Sequence, residues 1–172
     1  ILGTTGEANC FSLKERIRII ERLIEGGIPS KSLMPGTGSC ALTDAVELTR
    51  MAVKAGCGGV LMLPPFYYKN PSDAGLFRFF SEVIQRVGDS NLQIYLYHFP
   101  QMSATPITYN LIEMLLKEYP DTVCGMKDSS GDLENMAGAA ERFPGFHVLA
   151  GAETVFLDLL KRGGAGCITA CS

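Results

Sequence analysis

No stretch of this chain carries the roughly 18 consecutive apolar residues of a membrane-spanning helix, so no segment is expected to cross a bilayer. Clusters of lysine and arginine are missing as well. With a net charge of -3 and no interleaving of basic and aromatic residues, the chain offers no surface for nucleic acid or for an anionic membrane. It has no C-x-x-C pair and no histidine at metal-ligand spacing, which removes the common zinc frameworks, and no metal is expected. No basic-then-apolar leader is expected either, since residue 1 opens onto a Gly-Thr turn. The six cysteines, at 10, 40, 57, 124, 167 and 171, stand mostly in apolar, strand-like surroundings. They are expected to be reduced, small core residues of a cytoplasmic protein.

What is present is apolar and periodic. Of 172 residues, 47% are hydrophobic and 19% charged, enough to bury one core, and residues 1–172 are read as a single domain. "SLKERIRIIERLIEGG" sets Leu13, Ile17, Ile20 and Ile24 on one helical face, with Ser12 and Glu15 at capping-box spacing and Gly26-Gly27 as the stop. Further helices are predicted over about 43–55, 72–87, 109–118, 133–142 (capped by Asp132) and 153–162. Between them lie "SLMPGTG", "GGVLMLPP", "QIYLYHFP", "TVCGMKD", "HVLAG" and "GCIT", which read as six strands.

Strand followed by helix every 20 to 35 residues demands parallel strands with right-handed crossovers. An open doubly wound sheet and a (β/α)8 barrel both satisfy that. Turn-forming and polar residues gather after every strand, at "GTTGE", "GTG", "PPFYY", "YHFPQ", "KDSSG" and "GAE", which favours the barrel, whose active-site loops all open on one face. Six strands and, in "ILGTTGE", the tail of another leave the count short of eight. The chain begins at Ile1 rather than Met, so the expectation is a partial TIM barrel, from the end of strand 2 to strand 8, cut from a protein of about 250 residues or more.

The residue that most needs explaining is Lys127, at the end of "DTVCGMK". Desolvating an ammonium is expensive, so a lysine in an apolar strand is either paired or used. Side chains alternate along a strand, which puts Val123, Gly125 and Lys127 on one face, inward, and Cys124 and Met126 toward the helices. The same parity sets Tyr95 and Tyr97 together, with Tyr97 at its strand's carboxyl end beside Lys127. Two readings follow: Lys127 pairs with Asp128 or Glu153 and Tyr97 merely caps the core, or Lys127 attacks a carbonyl as a Schiff-base nucleophile while Tyr97 moves protons. "GTTGE" can present hydroxyls and backbone N–H groups to a small carboxylate or form a plain tight turn; without a following Gly-Lys-Ser/Thr it is no nucleotide loop. Tyr67 and Tyr68 project from a loop on the same face, where one could join a relay or an interface. His98, of opposite parity to Tyr97, should face the helices, and His147 begins its strand far from the mouth.

Taken together and in order, "GTTGE", "PPFYYKNPS", "YLYHFP", "GMKDSSGD" and "GGAGCIT" resemble the dihydrodipicolinate synthase and N-acetylneuraminate lyase family of Schiff-base aldolases, over essentially the whole chain. The resemblance implies that Lys127 forms the imine with C2 of a 2-oxo acid, that Tyr97 shuttles protons, and that Thr4 and Tyr68 are its relay. It implies further that Thr5 and its turn bind the carboxylate, that the Ile168 carbonyl lines the pocket, and that Gly151 keeps the mouth open. No cofactor is implied, and family members are commonly tetramers, so a homo-oligomer is expected.

One departure bears on the substrate. Lysine-pathway synthases of this family usually read Tyr-Asn-x-Pro followed shortly by an arginine that holds the carboxylate of aspartate semialdehyde. Here the stretch is "YHFPQMSA", with His98 for Asn and Gln101 and Met102 where that arginine is expected. Ser129, Ser130 and Glu153 could serve hydroxyls instead. The expectation is therefore a metal-independent lyase cleaving a 2-keto-3-deoxy sugar acid to pyruvate and an aldehyde. A synthase joining pyruvate to aspartate semialdehyde, a dehydratase on the same imine, and a non-catalytic ligand-binding barrel are the alternatives.

Overall fold

A computed structural model describes residues 1–170. Helix α1, Leu13–Glu25, begins at the predicted capping box: the Glu15 N–H donates to the Ser12 hydroxyl at 3.4 Å and the Glu15 carboxylate accepts the Ser12 N–H at 2.8 Å. Helices α2 (Leu42–Lys54), α3 (Asp73–Val87), α5 (Tyr109–Glu118) and α6 (Leu133–Arg142) lie where the periodicity puts them. Ser72, Thr108 and Asp132 each accept an N–H from the first turn of the helix that follows, which fixes the starts of α3, α5 and α6. The predicted helix over 153–162 is shorter and in two parts, a 3-10 turn at Glu153–Val155 and α7 at Phe156–Lys161. A four-residue helix, α4 at Pro100–Ser103, follows the second strand, where none was predicted.

Strands β1 (Val60–Met62), β2 (Ile94–His98), β3 (Val123–Asp128), β4 (His147–Ala150) and β5 (Gly166–Cys167) form one parallel sheet in sequential order. Parallel strands in chain order, with a helix after each of the first four, are an arc of a (β/α)8 barrel. The sixth predicted strand, in "SLMPGTG", is reduced to a single parallel bridge between Gly36 and Leu61. Pro35 has no N–H to extend that ladder, and on the other side of the segment the Gly36 N–H donates to the Ile1 carbonyl at 2.9 Å. That bond ties the N-terminal segment to the edge of the arc.

The core lies between sheet and helices. Met62, Ile94, Leu96, Met126 and Val148 pack there with Phe80, Leu111, Leu115 and Met136, all fully buried. Val123 joins this layer, against the parity argument. The register slips by one residue, Ile94 pairing with Val123 but Tyr95 with Gly125, so the extra residue Cys124 forms a bulge and Val123 turns to the helix side with Met126. The parity of Gly125, Met126 and Lys127 is unaffected.

One further expectation holds only in part. Among the described cysteines, all free thiols, Cys10, Cys40 and Cys167 are exposed and Cys57 and Cys124 half-buried, and Cys57 packs against the core; Cys171 lies outside the described residues. The predicted face of α1 is the one that packs, with Ile20 fully buried and Ile24 against the same cluster, and it also holds a buried arginine, Arg16.

Candidate active site

The carboxyl ends of the strands bring the site together. Tyr97 and Lys127 are cross-strand partners at the ends of β2 and β3, and the Lys127 Nζ lies 4.7 Å from the centre of the Tyr97 ring. Tyr97 is 4% exposed, and its hydroxyl is 3.2 Å from Thr4 Oγ1. Beneath Lys127, Gly125 is there of necessity: a Cβ on it would stand 2.2 Å from the His147 carbonyl oxygen and 2.9 Å from both the His147 Cβ and a Tyr95 ring carbon. A larger residue would force β3 and β4 apart and move Lys127 with them.

Lys127 opens onto a cleft of about 400 Å³ whose lining includes Thr4, Thr5, Gly6, Leu61 and Ile168. The segment before α1 is bent into place, Leu2 and Glu7 holding φ of 55° and 49°, with the Glu7 N–H on the Thr4 carbonyl at 3.0 Å. Ile168 donates its N–H to the Ala150 carbonyl at 2.9 Å, which leaves its own carbonyl beyond the end of β5.

Behind the pair, on the helix side, stands a second cross-strand pair, His98 and Asp128. Asp128 is fully buried and accepts the Ser130 N–H and the Asn135 side-chain amide, each at 2.7 Å. It faces away from Lys127 and is committed there, so it is no ion-pair partner for the lysine. His98 accepts the Ile107 N–H on Nδ1 at 2.9 Å. Burial lowers its proton affinity, against the pull of Asp128 and Asp132, and the accepted N–H fixes the neutral tautomer with its proton on Nε2. These bonds set the loops that follow β2 and β3, and nothing in the residue pattern announced the Asn135 and Ile107 partners.

Other predicted residues stand apart from the cleft lining. Ser129 and Gly151 pack on each other one residue past their strands, where a Cβ at position 151 would lie 2.1 Å from the Ser129 hydroxyl oxygen. Glu153 is exposed in the 3-10 turn before α7. Tyr68 is 83% exposed and Tyr67 71%, stacked edge to face with their rings 5.1 Å apart. His147 is exposed and stacks on Tyr95 at the opposite end of the strands. Among the described residues no group of three or more His, Cys, Asp or Glu could hold a metal ion, and no helix is long and apolar enough to cross a membrane.

Fold and site thus define a parallel-barrel protein with a lysine at the end of one strand, a tyrosine beside it on the next, and a threonine hydroxyl on that tyrosine. The sequence profile of the Dihydrodipicolinate synthetase family matches residues 1–172, and the chain belongs to that family. It is 37% identical over 171 residues to an uncharacterised DapA-like lyase of Chloroflexus aurantiacus, covering 99% of this chain and 56% of the relative. It is 36% identical over 169 residues to the 4-hydroxy-tetrahydrodipicolinate synthase of Thermus thermophilus, covering 98% and 55%. Its fold superposes on the crystal structure of dihydrodipicolinate synthase from Agrobacterium tumefaciens with a TM-score of 0.94 at 30% identity, over 98% of this chain and 59% of that one. The chain therefore spans little more than half the length of the relatives it matches.

Proposed function

We propose that the protein of which this chain is part is a Schiff-base lyase acting on pyruvate or on a 2-keto-3-deoxy sugar acid. The observation that carries this is the Lys127–Tyr97–Thr4 row, an amine against a phenol ring at 4.7 Å and that phenol against a hydroxyl at 3.2 Å, at the edge of a cleft. The neutral amine of Lys127 adds to the C2 carbonyl and water leaves, giving an iminium that draws electrons from C3. Either a C3 proton departs, to give an enamine that adds to an aldehyde, or the C3–C4 bond breaks and the 4-hydroxyl proton is lost as the aldehyde forms. Tyr97 takes and returns the proton. Among the described residues the N–H groups of Thr5 and Gly6 donate to no protein acceptor, which supports the turn as the carboxylate binder. The Ile168 carbonyl completes the pocket in this scheme, and Gly151 lets the chain pass close to Ser129 beside it.

The position of Tyr68 supports an oligomer. Two stacked, exposed tyrosines on one loop are more aromatic surface than a solvated turn needs, and a subunit contact there, as in a tetramer built from dimers, would bring Tyr68 to the Thr4–Tyr97 pair of a neighbouring subunit.

A second reading, synthesis from pyruvate and aspartate semialdehyde, is favoured by the 36% identity to a synthase of that kind. Against it, Gln101 donates to the Ser130 carbonyl at 2.7 Å and Met102 is 59% exposed, so neither supplies a cation for a second carboxylate. Ser129, Ser130 and Glu153, on the loops after β3 and β4, offer hydroxyl-binding groups instead. Full-length protein should condense pyruvate with glyceraldehyde at a higher kcat/KM than with aspartate semialdehyde. A tenfold preference for aspartate semialdehyde would replace the lyase reading with the synthase.

A further inference from the structure

Arg16 is an unexplained cation. It belongs to the apolar face of α1, is 6% exposed, and is held by main-chain carbonyls: Nη2 donates to Gly36 at 2.8 Å and to Gly38 at 3.3 Å. Its Nε is buried and has no acceptor among the described residues. Desolvation weakens its hold on the proton, with Asp44 opposing, yet a guanidinium stays charged in a protein. A buried donor on a charged group left without an acceptor is costly and needs an account. Beside it is a small cavity of about 30 Å³, lined by Arg16, Asn9, Gly36 and Gly38 and also by Thr4 and Tyr97, the hydroxyl pair of the proposed site. That volume suits one water molecule, and the lining has the two to four polar groups that a buried water requires.

We propose that this cavity is a one-water site in which Arg16 Nε donates to the water and the water donates to Thr4, making Arg16 a positioning residue for Tyr97. The proposal rests on the Schiff-base reading above. Its content is direction. At 3.2 Å either hydroxyl of the Thr4–Tyr97 pair can be the donor. An arginine N–H can only donate, so the water oxygen must accept it and both water protons point onward. One goes to Thr4 Oγ1; the Thr4 O–H then donates to the Tyr97 oxygen, and the Tyr97 proton is left to face the Lys127 cleft. Tyr97 is thereby set as a proton donor toward an imine on Lys127, and once it has given that proton up, its phenolate is held by the Thr4 O–H.

The test separates imine formation from proton movement in the full-length protein. Imine is measured as the borohydride-trapped pyruvate adduct, and proton movement as deuterium uptake into the pyruvate methyl group by NMR. Arg16→Met should trap imine to within twofold of wild type but exchange, per trapped imine, about tenfold more slowly, the scale of one lost charge-assisted hydrogen bond. Arg16→Lys, which keeps a donor, should recover part of that loss. Unchanged exchange per imine in Arg16→Met, whatever its melting temperature, would reduce Arg16 to packing and overturn the proposal. A high-resolution crystal structure of the wild type tests it without a variant: a water peak at about 2.7–3.2 Å from both Nε and Thr4 Oγ1 supports it, and none there overturns it. Wild type that traps no imine at all removes the Schiff-base reading first, and this proposal falls with it.

Discussion

Gly125→Ala is the substitution with the best-defined cost. The added methyl would stand 2.2 Å from the His147 carbonyl oxygen, where ordinary contact begins at 3.4 Å, and the tight atoms are β4 backbone and the Tyr95 ring rather than the end of a flexible side chain. β3 and β4 must separate by about 1 Å, and their ladder from Gly125↔His147 to Asp128↔Ala150 resists that along its length. Overpacking of this kind costs about 3 kcal/mol, the upper end of its usual range. At the length of the relatives, about 300 residues, that is a fall in melting temperature of roughly 5 °C. Gly3→Ala is the control, since nothing lies within 4 Å of its Cβ and its φ is not in the left-handed region; it should melt within about 2 °C of wild type. Differential scanning calorimetry of the full-length protein reads both. A Gly125→Ala variant that melts as close to wild type as the Gly3 control refutes the inward placement of Gly125, and with it the parity that aims Lys127 at the cleft.

Other outcomes follow from single contacts. Tyr97→Phe keeps the ring against Lys127 and loses the hydroxyl 3.2 Å from Thr4, so melting should be nearly unchanged while turnover falls by about 10²-fold or more; turnover within twofold of wild type would place the proton elsewhere. His98 has a lowered proton affinity in the folded state, so the unfolded chain protonates first: stability is unaffected above about pH 6.5 and falls as pH drops below it. His98→Asn, whose side-chain oxygen can accept the same Ile107 N–H, should lose that share of the decline in melts between pH 7 and 5; an unchanged decline would contradict it. Asp128→Ala strands two partly buried donors, on Ser130 and Asn135, and should cost about 2 kcal/mol in denaturation, against near-wild-type behaviour if those bonds are incidental.

Much of this was legible in the residues because it depends on local rules. The Ser12–Glu15 capping box, Asp132 as a cap, and the alternation that pairs Tyr97 with Lys127 each need only a few neighbouring positions. What escaped depends on neighbours distant in sequence. The Cys124 bulge, which turned Val123 to the helix side, arises from how β3 registers on β2. "SLMPGTG" reads as a strand, but only Gly36 bridges β1, flanked by bonds of Pro35 and Thr37 to Leu61. Arg16 was passed over because a charged residue is normally solvated, although its place four residues before Ile20 on the apolar face of α1 was a signal in the sequence. Tyr68 was legible as an aromatic of a loop on the catalytic face, and the degree of its exposure only from the fold.

The central claim is that Lys127 is the amine that forms an imine. Full-length protein treated with pyruvate and borohydride, then digested and sequenced by mass spectrometry, should carry one reduced pyruvate adduct, on the peptide containing "GMKDSSGD", and Lys127→Ala should carry none. An adduct on a different lysine, or none in folded wild-type protein, would contradict the account.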